Sequence, residues 1–545
     1  MINPMTISHI IRRTINLLGK AILITALSAF GADHSSAPYF DETKAITFFA
    51  FDNVSIPFIQ NLKVKMRVPE KYPGNPVVDR GPKGAPDSWA VQFYGSVIRE
   101  NGKFRMWYAA AAEKPKDTNE PRWRGAYAES EDGLNWTKPD LGLVEYNGNM
   151  ANNLVKMDPP QLSFLNLKVL FEPEDPNPDR RYKITTHAYM DKDRSLGTLV
   201  PFFSADGLHW KAVRPVTPVK TKVTKDDLFL PWTHFEPSGG LYKWDGLYYA
   251  SGQNANPASR PYHGRVVRAF VSGDFINWAH ASTVGFVRTA QHELLGPGRS
   301  REGEQTHEGL SVWNRGNILL GISGVWHGAK EWKDVTIDLG LVMSNDGIIF
   351  REPAHEWIFI EHGADGEWDQ GGLLQGQGFE NVGDKTYIYY GAWDPRNWKN
   401  APPRGGVGLV TLPRDRIGYL MVQPEAFGTG PYHIPKEKAV CEFITASIDI
   451  APDAAPGFYL NVEGLGKYAA LTVELLGHDL SPIPGSSGKD AAIIRENGFQ
   501  TPILWTNETS IENLPKRVRL RVVFDGPKRG DIRLSAIYIT NTNPI

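Results

Sequence analysis

The chain has one cysteine, Cys441, in 545 residues. That excludes an intramolecular disulfide framework and any paired-cysteine zinc or iron–sulfur site, and Cys441 reads as a small buried apolar side chain. Neither sign of charge is in excess: 59 Lys and Arg face 61 Asp and Glu, which argues against a nucleic-acid coat or a polybasic membrane binder. Beyond the N-terminus no run is apolar for the ~20 residues that a bilayer crossing needs. The sequence also lacks a P-loop, a GxGxxG turn before a helix, a GxSxG elbow, an HExxH pair and an EF-hand loop, so nucleotide, serine-elbow and common metal chemistries are unsignalled. No cofactor is expected; a structural calcium or similar ion on a central axis is left open, and no metal ligand is named.

What the sequence has is turn-formers and aromatics: 53 Gly, 40 Pro, 16 Trp, 20 Tyr and 25 Phe. Such a composition predicts many short strands joined by tight turns. At the N-terminus, Arg12, Arg13 and Lys20 precede the apolar run at residues 21–27, and small residues follow at Ala29, Gly31 and Ala32. This pattern predicts an export signal over 1–32, then an N-terminal extension over 33–84. The mature protein is expected to be soluble and exported, periplasmic or extracellular. No cysteine stands at the cleavage zone, so no lipid anchor is expected.

A phrase recurs about every seventy residues, and such repeats decide fold assignment. It reads Ser130-Glu131-Asp132-Gly133-Leu134-Asn135-Trp136, then Ser204-Ala205-Asp206-Gly207-Leu208-His209-Trp210. It returns from Ser272 to Trp278, with Phe275 in the glycine's place, and from Ser344 to Phe350; a degenerate fifth copy spans 412–416. The Asp–Gly pair makes a tight turn, and the closing aromatic is expected to plug the core between neighbouring units. A hydrophobic hairpin lies upstream of each copy, at 95–108, 167–184, 240–249, 310–320 and 379–390. These units predict an all-β chain with a five-bladed β-propeller over 85–425. After Pro431 alternating apolar runs predict a β-sandwich over 432–545.

Strands rise about 3.3 Å per residue, so the residue roughly seven to nine positions before each first turn should line the mouth of the central channel. That rule selects Gln92, Asn166, Glu236, His307 with Glu308, and Gln375, one position in each unit. Only the adjacent units three and four place carboxylates there. Glu236 and Glu308 would then form the pair that glycoside hydrolysis requires, one acid and one base or nucleophile. Burial and mutual repulsion would keep one of them protonated. The competing reading makes both strand caps or partners of Arg299 and Arg301. Asp87 and Asp369, on loops over the mouth, are alternative second carboxylates, whereas Glu174 and Asp175 fall in an outer turn. Trp89, Trp232, Trp326, Trp368 and Trp393 offer faces for sugar rings, while His234, His307, His327, Gln92, Asn166 and Gln375 offer partners for hydroxyls.

These residues give the chain a resemblance to the five-bladed β-propeller glycoside hydrolases, the invertase/levanase and arabinanase/xylosidase groups of the family 32 and 43 type. The matching segments run from Ser272 to Trp278 and from Glu236 into 241–249, with a trailing sandwich. The resemblance implies a general-acid role for Glu236. The invertase group's Asn-Asp-Pro-Asn-Gly is replaced by Gln92-Phe93-Tyr94-Gly95, and its Arg-Asp-Pro by Asn166-Leu167. The expected function is an exported glycosidase with a carbohydrate substrate, no nucleic-acid partner and no membrane span. The alternatives are a non-catalytic carbohydrate-binding propeller and a glycan phosphorylase.

Overall fold

Each Ser-x-Asp phrase folds into the same hydrogen-bonded turn. Ser130 Oγ accepts from the Gly133 amide at 2.9 Å, and Asp132 Oδ1 accepts from the amides of Leu134 and Asn135, each at 2.8 Å. Asp206 repeats this with Leu208 and His209, Asp274 with Ile276 and Asn277, and Asp346 with Ile348 and Ile349. The residue after the aspartate is left-handed every time, Gly133 at φ 75°, Gly207 at 76° and Gly347 at 75°. Phe275 adopts φ 65° in the third copy, a conformation that side chains disfavour. Its ring compensates by full burial against Phe203, Tyr248 and Trp278. The closing aromatics Trp210, Trp278 and Phe350 are buried.

The computed structural model describes residues 39–112, 122–160, 164–189, 197–216, 229–230, 236–254, 265–288, 302–355, 357–397, 404–428, 435, 438–451, 455–505 and 514–540. The expected export signal, Trp232, His234 and the Glu236 side chain lie outside the described residues. The chain divides after Asp41; the body from Glu42 onward is all-β, with 3₁₀ turns and no α-helix among the described residues. No described helix is long and apolar enough to cross a membrane.

Five antiparallel units follow one another. Unit one holds Ala90–Glu100, Lys103–Ala111 and Trp123–Ser130; unit two Lys168–Phe171, Tyr182–Tyr189, Gly197–Ser204 and His209–Ala212. Unit three holds Glu236–Trp244, Leu247–Asn254, Val266–Ser272 and Trp278–Phe286; unit four Gly303–Asn314, Leu319–Gly328 and Thr336–Ser344. Unit five holds Leu373–Val382, Lys385–Ala392 and Val407–Pro413, closed at its edge by Glu70–Lys71. The first strands pack in a cycle: one on two, two on three, three on four, four on five, five on one. Their approach is close enough to require glycine, because a Cβ on Gly239 would sit 2.1 Å from the Gly309 Cα. At the centre the fully buried Lys168 ammonium donates to Gln375 O at 2.8 Å, Ser311 Oγ at 2.9 Å and Gly95 O at 3.4 Å. Ser311 Oγ also lies 3.3 Å from Gly239 O, so this small network touches all five units. Burial holds the Lys168 pKa well below that of a free lysine.

Lys156–Asp158 pairs with the last strand of unit two and Arg404–Gly405 with the first of unit one; the other strands form two six-stranded sheets around one apolar core that includes Phe48, Leu420, Phe443, Leu460, Leu471, Val522 and Ile537. Described residues of the expected 33–84 extension join these sheets. Ile46–Phe49 pairs with Arg533–Thr540, Phe58–Gln60 with Glu442–Ile444, and Leu62–Met66 with Gly418–Val422. The boundary at 425 shifts with them, since Gly418–Val422 belongs to this two-sheet body. The degenerate fifth copy provides the weld. Arg315 grips Asp415 through two hydrogen bonds of 2.7 and 2.8 Å, Tyr538 donates to Asp415, and Arg414 pairs with Glu42. The first turn of unit four and the end of unit five therefore abut the two-sheet body, and the first strands begin at the opposite end, where the sequence reading expects the mouth.

Candidate functional site

First strands of neighbouring units do not form regular ladders with one another, so their backbone polar groups need other partners. Side-chain amides supply them. Gln92 Nε2 donates to Leu165 O at 3.2 Å, and Asn166 Oδ1 accepts from the His187 amide at 2.7 Å. Gln375 Nε2 donates to His307 O at 2.6 Å and Gly309 O at 2.7 Å. Asn166 and Gln375 are fully buried. This corrects their expected role: their amides clasp backbone rather than face a sugar.

The Gln375 clasp brackets Glu308. Its two acceptors are the carbonyls on either side of that residue, and the Glu308 amide donates to Gln253 Oε1 at 2.9 Å. Units three and five thus grip one residue of unit four. Glu308 has φ 62°, a strained conformation for a non-glycine residue, and such strain collects at functional positions when the surroundings over-determine it. Its side chain is 12% exposed, with Oε1 3.4 Å from His307 Nε2. Gln253 is also the strand partner of Glu236. The backbones of the two expected carboxylate residues therefore meet around one glutamine, next to the Gly239–Gly309 crossing.

Above Glu308 the aromatic residues form a continuous series. His307 stacks on Trp326 at 5.3 Å and on Trp393 at 5.7 Å, with interplanar angles of 28° and 17°. Arg265 lies 3.8 Å from the Trp326 ring centre. Arg404 lies 5.5 Å from Trp393 and 5.0 Å from Trp89, and Arg122 lies 4.3 Å from Trp89. Burial, aided by the Arg265 charge, holds the His307 pKa well below its ordinary value, so its imidazole is neutral. Trp326 is fully buried, and Trp368 packs on Tyr390. These guanidinium contacts were not legible because their members come from three distant stretches of chain.

Asp87 and Asp369 are buried in matching clamps. Asp87 accepts from Lys138 at 2.5 Å and Tyr108 at 2.8 Å; Asp369 accepts from Lys71 at 2.7 Å and Tyr390 at 2.9 Å. Each carboxylate already has the partners of a structural staple. Asp87 also lines a cavity of about 530 Å³ with Lys138, Asn152 and Asn153.

His327 is engaged by Asp338 at 2.9 Å, and the other Asp338 oxygen takes His362 Nδ1 at 2.6 Å. The hydrogen bond to Asp338 raises the His362 pKa against the lowering effect of burial. A raised histidine pKa adds stability in full below the unfolded-state value of about 6.5, and loses it as pH rises through the higher folded value. The stability difference between wild type and His362→Gln should therefore be largest near pH ~5.5 and shrink by pH ~8. Urea titrations across that range check this; a difference independent of pH would contradict it. Among the described residues, no group of three or more His, Cys, Asp and Glu is arranged to hold a metal ion.

No family model matches the chain, and no curated protein matches it. Among solved structures it is similar to a glycosyl hydrolase from Bacteroides ovatus, at 15% identity over 66% of this chain and 98% of that one, with a TM-score of 0.41. It is also similar to a structure of the GH130 family of mannoside phosphorylases, which contains glycoside hydrolases that target β-1,2 mannosidic linkages in Candida mannan. There the identity is 15%, over 65% of this chain and 97% of that one, with a TM-score of 0.41. A third is an N-acetylgalactosamine deacetylase from F. plautii, at 12% identity over 64% and 95%, with a TM-score of 0.40. Likeness at this level assigns no activity, so function is argued from the chain's own residues.

Proposed function

We propose that this chain is an exported glycan-active protein that hydrolyses glycosidic bonds at the mouth of a five-bladed β-propeller. The five units are its blades, and the two-sheet body is a β-sandwich buttress. Glu236 acts as the acid that protonates the leaving oxygen. Glu308 activates water or attacks the anomeric carbon. The observation that carries this reading is the strained, doubly gripped backbone of Glu308 at the mouth, one crossing away from Glu236. Phe275 and Asp415 hold similar φ values in structural positions; what sets Glu308 apart is that its carboxylate lies beside His307, one crossing from Glu236.

The test is a panel of purified polysaccharides, read by reducing-sugar release and thin-layer chromatography, with wild type and Glu236→Gln. Release by the wild type that falls roughly 10²-fold or more in the variant is expected. Binding without turnover by the wild type would favour the non-catalytic reading. That reading draws on the amides, rather than carboxylates, that stand at the mouth positions of units one, two and five.

A further inference from the structure

The series over the mouth interleaves three guanidiniums with four aromatic rings. Arg404 is the informative member. Its backbone is fixed, because Arg404–Gly405 pairs in parallel with Ala90–Val91 and the Arg404 amide donates to Trp89 O at 2.9 Å. Its side chain is half-buried between Trp89 and Trp393, and its Nη1 is buried with no hydrogen-bond partner among the described residues. No carboxylate forms an ion pair with it there. Burial, and then repulsion from Arg122, draws its pKa down to about 10. A buried guanidinium nitrogen without an acceptor is costly, and a fixed fork beside an aromatic face is the geometry that takes carboxylate and sulfate groups in a bidentate grip.

Building on the glycan-active reading, we propose that the mouth contains an oxyanion subsite, centred on Arg404 beside Trp89 and Arg122, that receives the carboxylate or sulfate of an acidic sugar. The substrate class is then a uronate-containing or sulfated glycan. Arg122 adds positive potential, and the indoles exclude water from one side of the pair. Trp89 thereby becomes a support for guanidiniums, with its edge, rather than an open face, toward a sugar.

The test is affinity electrophoresis of the full chain in gels containing matched polysaccharides: native pectin and alginate against their carboxyl-reduced forms, and a sulfated galactan against its desulfated form. Retardation by at least one acidic polysaccharide is expected, with apparent affinity falling about 10-fold or more when the acid group is removed. Arg404→Gln should lose the same factor, and Arg404→Lys, which keeps charge but not the fork, should fall between. Comparable melting temperatures for the three proteins verify folding. Carboxylate and sulfate are told apart by which matched pair responds. Retention that ignores the acid group, or survives Arg404→Gln, overturns the subsite and leaves the glycan-active reading standing. Retention by no polysaccharide overturns both. Sugar phosphate formed only when inorganic phosphate is added would assign the guanidinium to free phosphate and overturn the acidic-glycan reading.

Discussion

Glu308→Gln is expected to cut glycoside turnover by roughly 10²–10⁴-fold, the range lost when an acid or base is removed from a proton-transfer step. The amide is isosteric with the carboxylate and can occupy the same left-handed backbone, so the variant should melt within a few degrees of wild type. Glu308→Gly is the informative companion. It relieves the φ of 62°, which costs a non-glycine residue on the order of 1–2 kcal/mol. Its loss of activity should therefore come without a matching loss of stability, as expected where strain is held for function. Gln375→Leu removes the clasp on the His307 and Gly309 carbonyls. It should lower kcat more than it raises KM, because it displaces Glu308 without touching substrate. Full activity in Glu308→Gln, on any polysaccharide the wild type degrades, would remove Glu308 from the mechanism.

Arg315→Met is expected to destabilise the fold by about 3–5 kcal/mol, the typical loss when one member of a buried ion pair is removed. Both side chains of the Arg315–Asp415 pair are 0% exposed. Asp415 is additionally held by Asn381 at 3.0 Å and Tyr538 at 2.8 Å. Burial alone would raise the Asp415 pKa, but the Arg315 charge and hydrogen bonds hold it below the ordinary carboxylate value. A depressed carboxylate contributes stability above its unfolded-state pKa and loses it as pH falls through the folded value. The wild type should thus lose this contribution only in acid, whereas Arg315→Met lacks it at neutral pH. Arg315→Met combined with Asp415→Asn removes the stranded charge and tolerates φ 58°, so it should regain much of the loss. Urea midpoints of the three proteins decide this. A single variant within 1 kcal/mol of wild type, or a double variant no better than the single, contradicts the argument.

How much of this was legible follows from the range of each interaction. The turn phrase is local, so Ser, Asp and Gly fix it within seven residues, and all four copies form as read. Phe275 shows the limit, because its conformation looks unfavourable until Phe203, Tyr248 and Trp278 are seen around it. The strand ruler could reach Glu308 because an eight-residue offset along a strand is nearly rigid. It also selected Asn166 and Gln375, and nothing local distinguishes an amide that clasps a neighbour's backbone from one that faces solvent. The N-terminal strands were illegible as partners of the C-terminal ones. Ile46 pairs with Ile539, and no periodicity encodes a register over that separation. The fifth copy kept its aspartate but turned it toward Arg315, which is why the pattern there looked worn.

The Lys168 ammonium has a consequence for traffic. It stands where the first strands of the five units come together, tied to oxygens of units one, four and five. That point is plugged by a side chain rather than left open. On the proposed reading, a glycan end that enters where the first strands begin has to back out the way it came.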